Sequence, residues 1–196
     1  MSEQQQGKLV ILSGPAGSGK STVVRQLLDK YPGRLELSVS ATTRKPRSGE
    51  VDGVAYHFLT VDQFLQKREA GEFLESFEVF GLGNWYGTLQ SEVENRIQNG
   101  ISVLLEIDVE GAMQVVEQYP QAVTIFLDPG SLEVLEQRLR GRKTETESVI
   151  QRRLEVAHEE MEMAPRYKYQ VINNKLEHAV EQICQIISND PGEIVR

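Results

Sequence analysis

Ser13-Gly14-Pro15-Ala16-Gly17-Ser18-Gly19-Lys20-Ser21-Thr22 is preceded by the apolar run Leu9-Val10-Ile11-Leu12 and followed by Val23, Val24, Leu27 and Leu28 at helical spacing. The order strand, glycine-rich loop, helix is the setting in which G-x-x-x-x-G-K-[ST] cradles phosphate. Gly14, Gly17 and Gly19 permit positive φ, so successive N–H groups can turn inward around an anion. A helix starting near Lys20 adds the positive end of its dipole. Lys20 supplies a charge that can follow the terminal phosphates, and the Ser21 hydroxyl is placed to ligate Mg2+. A glycine-rich turn before an ordinary helix is the plain alternative; the lysine and the flanking periodicity together favour a nucleotide site.

Working outward, 196 residues with 39% hydrophobic and 26% charged side chains suggest one globular domain with small inserted segments. No run of about eighteen apolar residues is present, so no membrane span is expected. The polar start, Met1 to Gln6, lacks the apolar core of a secretion signal. Cys184 is the only cysteine, which points to a reducing, cytoplasmic setting. A net charge of −8 argues against general affinity for nucleic acid. Two basic clusters stand against that background: Arg44, Lys45 and Arg47, then Arg138, Arg140, Arg142, Lys143, Arg152 and Arg153. Each could be a solvated surface, but beside a phosphate loop both are candidates for anion binding.

Along the chain, Tyr31-Pro32-Gly33 ends the first helix, and alternation predicts one strand from Leu35 to Ala41. A loop runs from Thr42 to Glu50, and extended structure from Val54 leads to a short helix with Asp62 as its N-cap. Phe73 to Phe80 reads as a strand, Gly81-Leu82-Gly83-Asn84 as a turn, and Trp85 to Thr88 as its continuation. Residues 40–88 thus form a small, mostly β insertion. A helix from Leu89 to Asn99 precedes a buried strand, Ser102 to Asp108, then a helix from Gly111 to Gln118 and a strand from Ala122 to Leu127. Helices from Leu132 to Arg140 and from Glu147 to Met163 flank a polar stretch, and Tyr169 to Ile172 is the last strand. The final helix places Leu176, Ala179, Val180, Ile183, Cys184 and Ile187 on one face, with Cys184 in the core. His57 and His158 have no metal-ligand spacing and read as structural or surface residues. The fold class is α/β: a parallel P-loop sheet flanked by helices, with the β insertion and a helical lid.

The stretch from Ser38 through Thr42-Thr43-Arg44-Lys45-Pro46-Arg47-Ser48-Gly49-Glu50, following such a loop, closely resembles guanylate kinases. The likeness continues in Gly53 to Tyr56, Phe73-Leu74-Glu75, Asn84-Trp85-Tyr86-Gly87-Thr88, Ile107-Asp108-Val109-Glu110-Gly111 and Gly141-Arg142-Lys143-Thr144-Glu145. It spans Leu9 to about Ile187. The resemblance implies a P-loop core (1–39, 89–128 and 166–196), a GMP-binding segment (40–88) and a lid (129–165). It implies transfer of the ATP γ-phosphoryl group to GMP, and to dGMP, with Mg2+ accompanying ATP; these small molecules are the partners it names, and oligomeric state is left open. Residue by residue, Ser40, Glu75, Thr88 and Asp108 would surround the base, and Arg44, Arg47, Tyr56 and Tyr86 the GMP phosphate. ATP would meet Gly14 to Thr22 and Asn173, with Lys20, Arg44, Arg138, Arg142 and Arg153 as the catalytic cations and Ser21 as the metal ligand.

The chemistry of these residues agrees with that assignment. Guanine presents N1–H and N2–H donors beside O6, so a carboxylate such as Glu75 can accept both while a hydroxyl donates to O6. Adenine would set an acceptor against that carboxylate, a mismatch that can discriminate by about four to five orders of magnitude in a closed, dry site. Taken singly, Glu75 could be a solvent-facing strand carboxylate, Arg44 and Arg47 loop charges, Tyr56 and Tyr86 half-buried aromatics, and Asp108 a strand-end cap. Two departures from the family pattern stand out: the Gly81–Asn84 turn is two residues longer, and Lys143 replaces a common glycine. The rival readings are a P-loop kinase with another acceptor and a guanylate-kinase-like peptide-binding module, which usually has a damaged phosphate loop.

Overall fold

The fold comes from a computed structural model, which describes residues 6–79, 83–141 and 146–190. Its elements in chain order are β1 (Leu9–Ser13), α1 (Lys20–Lys30), β2 (Leu35–Leu37), β3 (Ala41–Thr42), β4 (His57–Phe58) and α2 (Val61–Glu69). They continue as β5 (Phe73–Val79), β6 (Asn84–Leu89), α3 (Gln90–Gln98), β7 (Ser102–Glu106), α4 (Val109–Gln118) and β8 (Val123–Asp128). The chain then forms α5 (Leu132–Gly141), α6 (Glu147–Glu162), a 3-10 turn at Ala164–Arg166, β9 (Tyr169–Ile172) and α7 (Leu176–Asn189).

The central sheet has the order β2-β7-β1-β8-β9, and every pairing is parallel. β1 is buried along its whole length, and its side chains alternate between two cores. Leu9 and Ile11 join Val103, Leu105 and Phe126 beneath α3 and α4. Val10 and Leu12 join Leu104, Ile125 and Leu127 beneath α1 and α7. Successive crossovers therefore cover both faces, and the loops after β1 and β7 open on a common edge. Crevices outside the carboxyl ends of such strands are where open α/β sheets bind ligands.

A second sheet, β4-β3-β6-β5, forms the insertion. Its own cluster joins Ala41, Phe64, Phe73 and Leu89. Phe64 stacks on Phe73 with centroids 4.4 Å apart and lies 5.9 Å from the Trp85 ring. α4 ties this sheet to the core, since Gln118 Nε2 donates to Leu74 O at 2.8 Å. α5 and α6 form a hairpin with a separate small core of Leu135, Leu139 and Ala157.

Several expectations need correction. The single strand over Leu35–Ala41 is two strands in two sheets: after the Ser38 N–H donates to Leu104 O, the chain leaves the edge of the central sheet and crosses to the second. Local alternation carries no information about that change of partner. Thr60, not Asp62, caps α2, in a reciprocal capping box with Gln63. β7 ends at Glu106, so Asp108 is the N-cap of a helix that begins at Val109 rather than Gly111. Cys184 is half-buried at the rim of the α7 cluster rather than inside it.

Trp85 is the only tryptophan, so its fluorescence reports on the second sheet. Phe64→Ala should destabilise the protein by about 3–5 kcal/mol, with the urea midpoint read at Trp85 falling accordingly. A shift below about 1 kcal/mol would mean that Phe64 does not support this sheet.

Candidate active site

The phosphate loop is set by backbone strain and close approach. Gly14, Gly17 and Gly19 have φ of 141°, 100° and 101°, and a Cβ on Gly14 would lie 2.4 Å from Leu127 O. The end of α1 has no side-chain cap at Gly19, leaving its first N–H groups for an anion. Lys20 Nζ folds back over the loop, donating to Gly14 O at 2.5 Å and Pro15 O at 3.2 Å. Ser18 O accepts from Asn173 Nδ2 at 2.7 Å and from Arg138 Nη1 at 3.2 Å; Arg138 Nη2 also donates to Asn173 O at 2.6 Å. Asn173 and Arg138 therefore sit behind the loop and brace it.

Acidic groups gather at the carboxyl end of β7. Ser21 Oγ donates to Glu106 Oε1 at 2.6 Å, and Asp108 Oδ1 accepts from the Gly111 N–H at 2.8 Å. From α6, Glu160 reaches the same region. Burial lowers the Lys20 pKa, opposed by Glu160, Glu106 and Asp108 in that order. Burial pushes Glu160 up to about 7, with Lys20 opposing. Neither Glu106 nor Glu160 was singled out from the sequence. For Glu106 a signal existed: an acid at the end of a buried strand, in register with Leu12 just before the loop. Glu160 is one of many acids on a charged helix, and only packing distinguishes it.

Glu75 and Thr88 face each other across β5 and β6. Thr88 Oγ1 donates to Glu75 Oε1 at 2.7 Å, while Oε2, in a side chain on a residue only 3% exposed, has no partner among the described residues. A Cβ on Gly111 would lie 3.1 Å from that Oε2 and 3.2 Å from Asp108 Oδ1, so the two carboxylates share the space above the start of α4. Burial pushes Glu75 up to about 7 and also raises Asp108. Nearby, Arg44 Nε donates to the Tyr86 hydroxyl at 3.2 Å, its guanidinium lies 5.3 Å from the Tyr56 ring centre, and Tyr56 meets Tyr86 edge to face at 5.9 Å. The second sheet thus brings Arg44, Tyr56 and Tyr86 together. Ser40 is half-exposed, its carbonyl accepting the His57 N–H at 2.9 Å; Arg47 lies in the exposed loop.

A cleft of about 1120 Å3 separates α6 from the loop and α4, with Ala16, Asp108, Met113, Arg153 and Glu160 among its walls. The basic cluster of the lid divides: Arg152 and Arg153 line this cleft, Arg152 also pairing with Glu155, whereas Arg140 pairs with Glu136 and Glu147. Arg142 and Lys143 lie outside the described residues, as do Gly81 and Leu82. His57 contacts Glu92 at 3.0 Å and His158 contacts Glu162 at 3.8 Å. Among the described residues no helix is long and apolar enough to cross a membrane.

A family model described as guanylate kinase matches residues 6–190. The chain belongs to the guanylate kinase family. A guanylate kinase of Rhodopirellula baltica is 50% identical over 182 residues, covering 92% of this chain and 87% of the relative. One from Fusobacterium nucleatum is 50% identical over 149 residues, covering 76% of this chain and 78% of the relative. The crystal structure of guanylate kinase from Anaplasma phagocytophilum superposes with a TM-score of 0.75 at 32% identity, covering 96% of this chain and 88% of that one. The parallel P-loop sheet expected from the sequence is thus the family fold.

The raised Glu75 pKa has a consequence for stability. The folded value, about 7, lies above the ordinary 4.5, so over that window the folded protein holds a proton that the unfolded chain has released. This group therefore makes stability fall as pH rises from about 4.5 to about 7, by at most about 1.4 kcal/mol per pH unit. Glu75→Gln should remove this contribution, leaving those of Glu160 and Asp108, when urea unfolding is followed across the window. An unchanged slope would show that Glu75 does not titrate there.

Proposed function

We propose that the protein transfers the γ-phosphoryl group of ATP to GMP, and to dGMP, giving ADP and the corresponding diphosphate. The observation that carries this reading is Glu75: a buried carboxylate with one oxygen held by Thr88 and the other unpartnered, beside Asp108 in a site that also contains an intact phosphate loop. Such a carboxylate accepts the two donors of a guanine edge, and the energy of those bonds includes relief of its own buried, unsatisfied state. Ser40, Thr88 and Asp108 supply the remaining polar contacts around the base. Arg44, Arg47, Tyr56 and Tyr86 hold the acceptor phosphate.

The acceptor's ionised phosphate oxygen is already a nucleophile, so no side chain need remove a proton. The bond from that oxygen to the γ-phosphorus forms as the bond to the β–γ bridging oxygen breaks, and ADP leaves with the electron pair. What the chain must supply is alignment and neutralisation. Lys20 exchanges the Gly14 and Pro15 carbonyls for phosphate oxygens, and the N–H groups of Gly14 to Thr22 cradle the donor. Arg138 and Asn173 keep the loop in shape from behind, and Arg153 reaches the cleft from α6. A hydroxyl and a carboxylate, Ser21 and Glu106, converge in the manner of P-loop metal ligands and suit a hard cation. Bound there, Mg2+ would neutralise charge on the donor phosphates. The segments 40–88 and 129–165 would close on the 1–39, 89–128 and 166–196 core to exclude water. A cytoplasmic location fits the nucleotide substrates and the single half-buried cysteine.

ADP release measured across GMP, dGMP, AMP, CMP and UMP should favour the two guanine nucleotides; preference for AMP would overturn the assignment. Glu75→Gln should lower kcat/KM for GMP by about a hundredfold or more, reflecting two bonds to a charged acceptor. Lys20→Ala should lower kcat by about two to three orders of magnitude. A loss of only a few-fold would return the loop to a binding role.

A further inference from the structure

The acceptor segment holds a second carboxylate that none of these roles uses. Arg47-Ser48-Gly49-Glu50 closes as a tight turn, with the Glu50 N–H donating to Arg47 O at 3.1 Å and Gly49 at a φ of 87°. The turn brings the Glu50 carboxylate back over its own start, where Oε2 accepts the Arg47 N–H at 2.6 Å. The same carboxylate receives the Arg44 fork from both sides, Nη1 to Oε2 and Nη2 to Oε1, each at 2.9 Å. Nη1 also donates to Lys45 O at 2.8 Å, and Nε to the Tyr86 hydroxyl at 3.2 Å. The Tyr56 and Phe58 rings, themselves 5.8 Å apart, lie together on one side of the guanidinium, 5.3 and 5.8 Å from its carbon. These bonds engage four of the five guanidinium N–H donors, and the fifth, on Nη2, makes none of them.

We infer that Glu50 is a positioning residue for the acceptor phosphate, acting through Arg44. The inference rests on the proposed reading of Arg44 and Tyr86 as phosphate ligands. A bidentate carboxylate fixes the plane of a guanidinium, which a single contact cannot do. With that plane fixed, the remaining Nη2–H has one direction. The Tyr86 oxygen, already accepting from Nε, keeps its own proton for donation, and the adjacent cation makes it a stronger donor. Arg44 also holds Glu50 below the usual carboxylate range, so the pair stays charged near neutrality. Because Glu50 cancels much of the Arg44 charge, the acceptor dianion is recognised by oriented donors more than by net charge. An unpaired arginine would serve any phosphate that reached it, the donor's included.

Glu50→Gln keeps the length of the side chain but can accept only through its one carbonyl oxygen; Glu50→Asp keeps the charge but falls a methylene short of the fork. Calorimetry with GMP and with guanosine, and steady-state kinetics with both substrates, should be run on the wild type and both variants. The expected result is weaker GMP binding and a raised KM for GMP, each by about tenfold, in both variants. Guanosine affinity and the KM for ATP should stay within about twofold, and kcat at saturating GMP within about threefold. Tighter or unchanged GMP binding would overturn the inference, the former by showing that Glu50 occupies the acceptor phosphate's place on Arg44. Equal losses for GMP and guanosine, or for both KM values, would also overturn it by assigning Glu50 a purely structural role. A wild-type protein that does not prefer GMP would instead refute the underlying function, a separate outcome.

Discussion

A phosphate loop works only if its N–H groups point to one place, and a glycine-rich backbone has no intrinsic reason to hold that shape. Here the constraint is applied from behind. The Ser18 carbonyl is gripped by Asn173 and Arg138, and Gly14 is pressed so near Leu127 O that no side chain fits. The loop is therefore a product of β8, α5 and the β9–α7 turn as much as of its own sequence. Rigidity of this kind lets the dipoles stabilise charge without reorganising as it develops.

The site between the second sheet and α4 depends on the opposite device, polar groups whose needs are left unmet. Glu75 is buried with a lone oxygen, and Asp108, which accepts the Gly111 N–H, stands beside it. Both carboxyl groups are pushed up by burial, so their ionised forms cost stability. The second sheet and α4, linked through Gln118, hold the groups that make this arrangement possible. The core of the second sheet, with Phe64, Phe73 and Trp85, is small, so this sheet is anchored by few side chains.

Much of this was legible beforehand because the relevant signals are local. The Lys20 and Ser21 spacing, the buried runs of β1 and β7, and the amphipathic face of α7 each follow from neighbours within one or two turns. The errors have a common origin in contacts distant along the chain. Leu35–Ala41 alternates as one strand would, yet Leu37 pairs with Leu104 in one sheet and Ala41 with Gly87 in another. Asp62 is a good cap by type, but Thr60 has the extended backbone and the Gln63 partner that a capping box needs.

By itself the sequence determined that a strand, a phosphate-binding loop and a helix open a parallel α/β domain, whereas the link of Arg44, Glu75, Tyr86 and Asp108 to a guanine nucleotide came from the resemblance to guanylate kinases. Side-chain type and short-range spacing suffice for the first of these. Only the tertiary structure decided which oxygen of Glu75 stays open, that Glu106 rather than another acid meets Ser21, that Arg138 braces the loop, and that Glu50 holds Arg44. The reason is physical: burial, charge coupling and hydrogen-bond geometry are properties of pairs, and most of these pairs join residues from separate elements, so they come into existence only when those elements pack.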